Sequence, residues 1–168
     1  MANKSSFTAE QWNRIIQAPL LAGFAISAAD PNGFIGALQE GMASSEALAA
    51  AKTDSGADEL IASVVDDLFT PEGRISAREG VRKIIQGAAL DEIKIRALEE
   101  LRSTAKILDA TTPLEARSFK VWLNHIAQRV AEASAEGGLL GFGGEKVSTS
   151  ELATLAEIAS ALGACATP

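Results

Sequence analysis

Four acidic residues stand at the junctions between predicted helices. Asp30 and Glu40 flank the first junction, and Glu136 and Glu151 flank another near the opposite end of the chain. Each junction combines a small-residue helix end, an acid, a glycine and an acidic helix start. Carboxylate oxygens are the ligands that hard cations such as Ca²⁺ and Mg²⁺ prefer. If the two helical hairpins pack with pseudo-twofold symmetry, the four carboxylates predict a divalent-cation site.

Ordinary capping chemistry is the alternative explanation of this pattern. Glycine often ends helices, and carboxylates stabilise helix N-termini, which accounts for Glu40 and Glu151. Asp30 and Glu136 instead end predicted helices, where the helix dipole disfavours an anion. No EF-hand ligand spacing is present. The cation hypothesis therefore depends mainly on Asp30 and Glu136.

Catalytic chemistry has little support in the sequence. The single histidine, His125, lies on the flank of an apolar helical stripe, and no motif places a nucleophile beside it. A diiron bundle needs Glu three residues before the His, and Trp122 occupies that position. We predict a partly buried structural histidine. Cys165 lies in the C-terminal tail and has no cysteine partner. The sequence thus predicts a protein that is not an enzyme.

A glycine-rich segment spans Gly137–Gly144. A phosphate-binding loop follows a strand and places a lysine directly after its last spaced glycine. This segment follows a predicted helix, and Gly144 stands where that lysine belongs. We predict a flexible connection between helices, with its apolar side chains packed on the bundle or offered to a partner.

The chain is acidic, with a net charge of −7 and a pI near 4.8. This charge predicts repulsion from nucleic acid and from anionic membranes. A local exception is a basic stretch made of Arg74, Arg78, Arg82 and Lys83, then Lys94, Arg96, Arg102 and Lys106. The acids interleaved with it predict a solvated, salt-bridged face in preference to a nucleic-acid patch. The most apolar run, 19–29, is too short for a transmembrane segment of about 20 residues. We expect a cytoplasmic protein.

Repeated N-terminal capping motifs predict where helices begin. Thr8, Ser76, Thr112 and Ser148 are each followed three residues later by Glu or Gln, and Ser55 begins a weaker copy. Helix-period apolar residues follow each start. With a further helix through Leu38, Met42 and Leu48, the pattern predicts about seven helices.

Composition agrees with an all-α fold. The chain has 168 residues, 47% of them hydrophobic and only 5% aromatic, and its apolar fraction is rich in Ala and Leu. We predict a single compact helical domain over residues 1–168, with 1–7 and 164–168 frayed and with a possible internal pseudo-twofold repeat.

The acidic junctions resemble those of the TerB-like domains of bacterial tellurite-resistance and stress-response systems. AISAADPNG (25–33), with Glu40, is similar to the first half of that family. RVAEASAEGG (129–138) and VSTSELATLAEIASALG (147–163) are similar to the second half. The chain departs from the pattern by inserting Pro31 and Asn32, by carrying Glu136 in place of Asp, and by its long second loop. The resemblance implies an all-helical, non-enzymatic module whose acids bind divalent metal.

The leading functional expectation is therefore a helical interaction module, with a protein partner or self-association and with Ca²⁺ or Mg²⁺ at the acidic junctions. Two alternatives remain open. One is a small-molecule binding protein or enzyme with a pocket between helices near Trp12, Trp122 and His125. The other is a structural subunit of a homodimer.

Overall fold

The fold is built around the N-terminal helix, which is too apolar to lie on a surface. The computed structural model describes residues 2–29, 58–136 and 147–163. Every regular element in these ranges is helical, which confirms the predicted all-α class. The helices, numbered in chain order, are α1 (Ala9–Ala29), α2 (Glu59–Phe69), α3 (Pro71–Ile85), α4 (Leu90–Thr111), α5 (Pro113–Glu136) and α6 (Thr149–Leu162).

Helix α1 is buried along nearly its whole length. Trp12, Ile15 and Ile16 are buried at its start, and Leu21, Ala22, Ala25 and Ile26 are buried along its second half. Helix α1 contacts all five other described helices and packs most extensively against α4. Full burial of an Ile or Leu side chain contributes about 1.5–3 kcal/mol, so covering α1 is a major source of stability. Pro19 is also buried and lies inside α1 without ending it.

The outer helices have one apolar and one polar face, as the sequence periodicity predicts. In α5 the apolar stripe, which includes Phe119, Leu123 and Ile126, is buried in the common core. In α4 the equivalent stripe includes Leu101 and Leu108. Ion pairs join these helices at their edges: Arg14 in α1 to Glu100 in α4, Lys94 in α4 to Glu157 in α6, and Lys120 in α5 to Asp109 in α4.

Two of the predicted capping boxes are confirmed. The Gln11 amide donates to the Thr8 hydroxyl at 3.2 Å, and the Thr8 amide donates to the Gln11 side chain at 2.9 Å. Ser148 and Glu151 form the same reciprocal pair at the start of α6. Gly163, which ends α6, adopts φ +66°, the left-handed conformation that glycine tolerates best.

Other predicted helix starts need correction. Ser76 lies inside α3, which begins five residues earlier, because Thr70 caps the helix and Pro71 occupies its first position. Thr112 does precede α5, but its hydroxyl has no hydrogen-bond partner among the described residues, and the Glu115 carboxylate accepts from the Ala2 amide. Helix α2 begins at Glu59, later than the predicted start at Ser55.

Several predictions fall outside the described residues. They include the helix through Leu38, Met42 and Leu48, the glycine-rich segment Gly137–Gly144, the C-terminal tail and Cys165. Residues 2–7, expected to be frayed, instead pack against the bundle. The Ala2 amide donates to both carboxylate oxygens of Glu115 at 2.7 and 2.8 Å. The Phe7 ring lies 6.0 Å from the Trp12 indole, the residue pair that forms a hydrophobic staple around the Thr8 cap.

Two buried threonines test how hydrogen bonding of a hydroxyl group in the core affects the free energy of unfolding. Thr104 in α4 is 0% exposed and its hydroxyl has no partner among the described residues, whereas Thr154 in α6 is 1% exposed and donates to the Ser150 carbonyl at 2.9 Å. We expect Thr104→Val to raise the free energy of unfolding by about 1 kcal/mol, because it removes an unsatisfied polar atom. Thr154→Val should lower it by about 1 kcal/mol, because it breaks a buried hydrogen bond.

Urea denaturation of both variants measures the two changes under the same conditions. The two substitutions have the same chemistry, so equal changes in unfolding free energy would contradict the difference in hydrogen bonding between the two sites.

Candidate interaction surface

The structure describes only part of the predicted cation site. Asp30 and Glu40 lie outside the described residues. Glu136 is the last residue of α5, and its side chain is not described. Glu151 is therefore the only one of the four whose carboxylate can be placed. That the two acidic junctions lie close enough to share a cation stays a prediction.

The carboxylate of Glu151 takes part in the cap of α6. Its Oε2 accepts from the Ser148 amide at 2.8 Å and from the Ser148 hydroxyl at 2.9 Å. The side chain is 2% exposed. At Glu151 the capping explanation therefore accounts for the acid without a cation. Among residues 2–29, 58–136 and 147–163, no group of three or more His, Cys, Asp and Glu side chains is arranged to hold a metal ion.

The residues of the predicted pocket have different surroundings. Trp12 is 3% exposed, and its indole N–H donates to the Asp67 carboxylate at 2.6 Å. Trp122 is also buried and packs edge-on against Phe119 at 5.2 Å. His125, expected to be partly buried, is exposed on the outer side of α5. The two tryptophans belong to the core, and the histidine faces solvent.

A row of cations occupies the outer side of α3. We call Arg74, Arg78, Arg82 and Lys83 the α3 basic face. All four are exposed, and the three arginines follow each other at four-residue spacing, which places them along one side of the helix. None of the four forms an ion pair with any residue of the described chain. The predicted salt-bridged face is therefore corrected for α3, where these charges are exposed and have no ion pair among the described residues, whereas Lys94 of the same stretch does pair with Glu157.

Cations on other helices are mostly engaged. Lys4 binds Asp67, Arg129 lies near Glu132, and the Arg96 guanidinium donates to the Ile84 carbonyl at 2.9 Å. Arg14, Lys94 and Lys120 pair across helices, as described above. Arg102, Lys106 and Arg117 are exceptions, because they form no ion pair with the described chain either. The α3 basic face differs from them in carrying three arginines in one row at four-residue spacing.

Helix stability explains only part of this basic face. Arg82 and Lys83 lie in the last turn of α3, where a cation interacts favourably with the helix dipole. Arg74 and Arg78 lie in the first half of the helix, where the dipole gives a cation no advantage. The full row therefore has no evident role in holding the helix together.

The start of α3 fixes how this face is presented. The Thr70 hydroxyl accepts from the Gly73 amide at 3.0 Å and donates to the Asp67 carbonyl at 2.7 Å, which joins α3 tightly to the end of α2. Ala77 and Val81 are buried in the core, and each is followed directly by an exposed arginine, Arg78 or Arg82. The arginine row therefore borders the buried side of α3 and is held at the surface.

Gly73 is a packing requirement at this joint. A Cβ atom at Gly73 would collide with the backbone carbonyl of Asp67, whereas a Cβ atom at Gly80 would meet only the end of the Gln17 side chain. We expect Gly73→Ala to lower the free energy of unfolding by more than about 2 kcal/mol, because α3 must shift. Gly80→Ala should change it by less than about 1 kcal/mol, because Gln17 can move and alanine favours the helix.

Urea denaturation compares the two variants. Both replace a glycine of the same helix with alanine, so a similar cost at the two positions would show that the joint between α2 and α3 is not specially tight.

None of the described helices has the length and apolar character needed to cross a membrane. Comparison of the chain with protein-family models, with curated proteins and with solved structures finds no match. The resemblance to the TerB-like family therefore rests on the motifs at 25–33, 129–138 and 147–163, and it stays a proposal.

Proposed function

We propose that this chain is a non-enzymatic helical interaction module that binds an acidic partner protein through the α3 basic face. The observation that carries the proposal is the row of three exposed arginines, with Lys83 next to its end, that form no ion pair with the described residues of a protein of net charge −7. A cationic patch on an acidic protein favours one anionic surface over the many that the rest of the molecule repels.

The chemistry of the face supports binding over catalysis. An arginine side chain presents N–H donors and no acceptor, so Arg74, Arg78 and Arg82 offer a substrate no general base. The same group presents several N–H donors in a rigid plane that fits the two oxygens of a carboxylate. Three such groups in a row provide recognition without any group that would act as a base.

The face can be altered without disturbing the fold. Its residues are exposed and have no partners within the described chain, and charges of this kind contribute little to stability. Loss of binding in an α3 variant can therefore be assigned to the surface, provided that the circular dichroism and melting temperature are unchanged.

We expect the protein to bind fluorescein-labelled poly-L-glutamate at low ionic strength, and Arg74→Glu/Arg78→Glu to weaken that binding about tenfold or more. Fluorescence anisotropy measures the affinity. Added salt should weaken binding to the wild type, because the contacts are between solvated charges.

The matched control is Arg102→Glu/Lys106→Glu in α4. Both residues are exposed and unpaired in the described chain, and the double substitution changes the net charge by the same amount as the α3 variant. The control variant should retain most of the binding. Equal losses in the two variants would show that overall charge, not the α3 basic face, determines the interaction.

The proposal keeps a divalent cation at the acidic junctions as a possible modulator of this module, in line with the TerB-like resemblance. Support comes from the placement of Asp30 and Glu136 after helical segments, where a capping role does not explain an acid. Glu151 is the weakest of the four candidates, because its carboxylate already caps α6.

A melting-temperature scan tests the cation. If Ca²⁺ or Mg²⁺ binds the native state, millimolar ion should raise the melting temperature by linkage, and Asp30→Asn should remove most of that shift. Glu151→Gln should leave the shift in place. Gln can keep the cap of α6, and the charge that the substitution removes belongs to a carboxylate already engaged in that cap. If the wild type shows no shift with either ion, the cation has no part in the function.

A further inference from the structure

The geometry of α3 points to a particular kind of acidic partner: we propose that the α3 basic face docks against an α-helix carrying Asp or Glu at every fourth position. This inference rests on the proposed function, because it specifies the partner of the same surface. It is carried by the spacing of Arg74, Arg78 and Arg82, by the exposed apolar residue Ile75 beside them, and by the absence of strands among the described residues.

The spacing of the arginines matches a helical ligand. A helix rises about 1.5 Å per residue, so successive arginines lie about 6 Å apart along α3 and the row is about 12 Å long. Carboxylates at four-residue spacing on a second helix repeat at the same distance. Each arginine can then face one acid when the two helices lie nearly parallel or antiparallel.

The need of a bound peptide to satisfy its backbone hydrogen-bonding groups favours a helical ligand over an extended one. An extended segment leaves its N–H and C=O groups in need of partners, which it usually finds at the edge of a sheet. The described chain offers only helices at this surface. A helical ligand satisfies its own backbone and needs only side-chain contacts with α3.

Ile75 offers a partner helix an apolar side chain to contact on the surface of α3. Its side chain is 57% exposed, and it lies one turn from Arg78 and Glu79 on the outer side of α3. The outer side therefore carries two ridges: a basic one formed by Arg74, Arg78 and Arg82, and a mixed one formed by Glu72, Ile75 and Glu79. A partner helix that fits both ridges needs an apolar residue next to its acidic row.

The size and surroundings of the face disfavour nucleic acid. A face about 12 Å long spans little more than one Debye length at physiological ionic strength, about 8 Å. A longer polyanion would extend beyond it over a surface that, without these four cations, is more acidic than the overall charge of −7 indicates. A short acidic helix can end where the basic face ends.

Three labelled probes test the proposal on the full chain by fluorescence anisotropy. The first is an alanine-based helical peptide of about 20 residues with three glutamates at four-residue spacing and a leucine beside them. The second has the same composition but three consecutive glutamates, which point to different sides of the helix. The third is a single-stranded oligonucleotide of similar length.

We expect the spaced peptide to bind about tenfold more tightly than the consecutive one. Arg74→Gln/Arg78→Gln should abolish the difference, and Ile75→Ser should weaken only the spaced peptide. The Gln variants remove charge without reversing it, and circular dichroism establishes that each variant remains folded.

Each other outcome has a distinct meaning. If both peptides bind equally and the Gln variant weakens both, the proposal of an acidic partner is supported, but the proposed four-residue spacing of acids on a partner helix is wrong. Tighter binding of the oligonucleotide than of either peptide would overturn the assignment of a protein partner. If no probe binds at concentrations up to about 1 mM, the proposed function itself fails.

Discussion

The structure depends on one requirement, which is that the other helices cover α1. From Ile15 to Ala29 this helix is apolar apart from Gln17 and Ser27, so leaving this part in water would cost hydrophobic free energy that the other helices do not recover. Five helices contact it, and each turns its own apolar stripe inwards. The few polar groups on α1 are accommodated individually: Arg14 reaches Glu100 at the edge, and Gln17 lies beside Gly80, where α3 lacks a side chain. Most charged side chains of the outer helices are consequently left at the surface.

This arrangement separates two roles within α3. Its inner side, including Gly73, Ala77 and Val81, fits the helix against its neighbours and tolerates little change. Its outer side makes no ion pair with the described chain, so no contact there accounts for its arginines. That is why the unpaired row on α3 indicates function more strongly than a cation already paired between helices, such as Lys94.

Much of the fold can be predicted from the sequence because helices follow local rules. Thr8 and Ser148 form their predicted caps, and Gly163 ends α6, since these contacts involve residues close in the chain. Ser76 shows the limit of that approach. Its motif is as good as the others, but Thr70 and Pro71 begin the helix first. The packing of residues 2–7 depends on Glu115, far along the chain, and the pairing state of the α3 arginines depends on which acids come near them in space. Neither the packing of residues 2–7 nor the pairing of the arginines can be predicted from the spacing of residues in the sequence.

The two tryptophans give the protein two separate optical reporters. The chain has no tyrosine, so its near-ultraviolet emission comes almost entirely from Trp12 and Trp122. The Trp12 indole is hydrogen-bonded to Asp67 at the end of α2, next to the joint that sets the direction of α3. Trp122 lies on α5 with its N–H unpartnered in the described structure. A protein retaining only Trp12 would therefore report on events at the α2–α3 joint, and one retaining only Trp122 would report on α5, with no extrinsic dye on the surface.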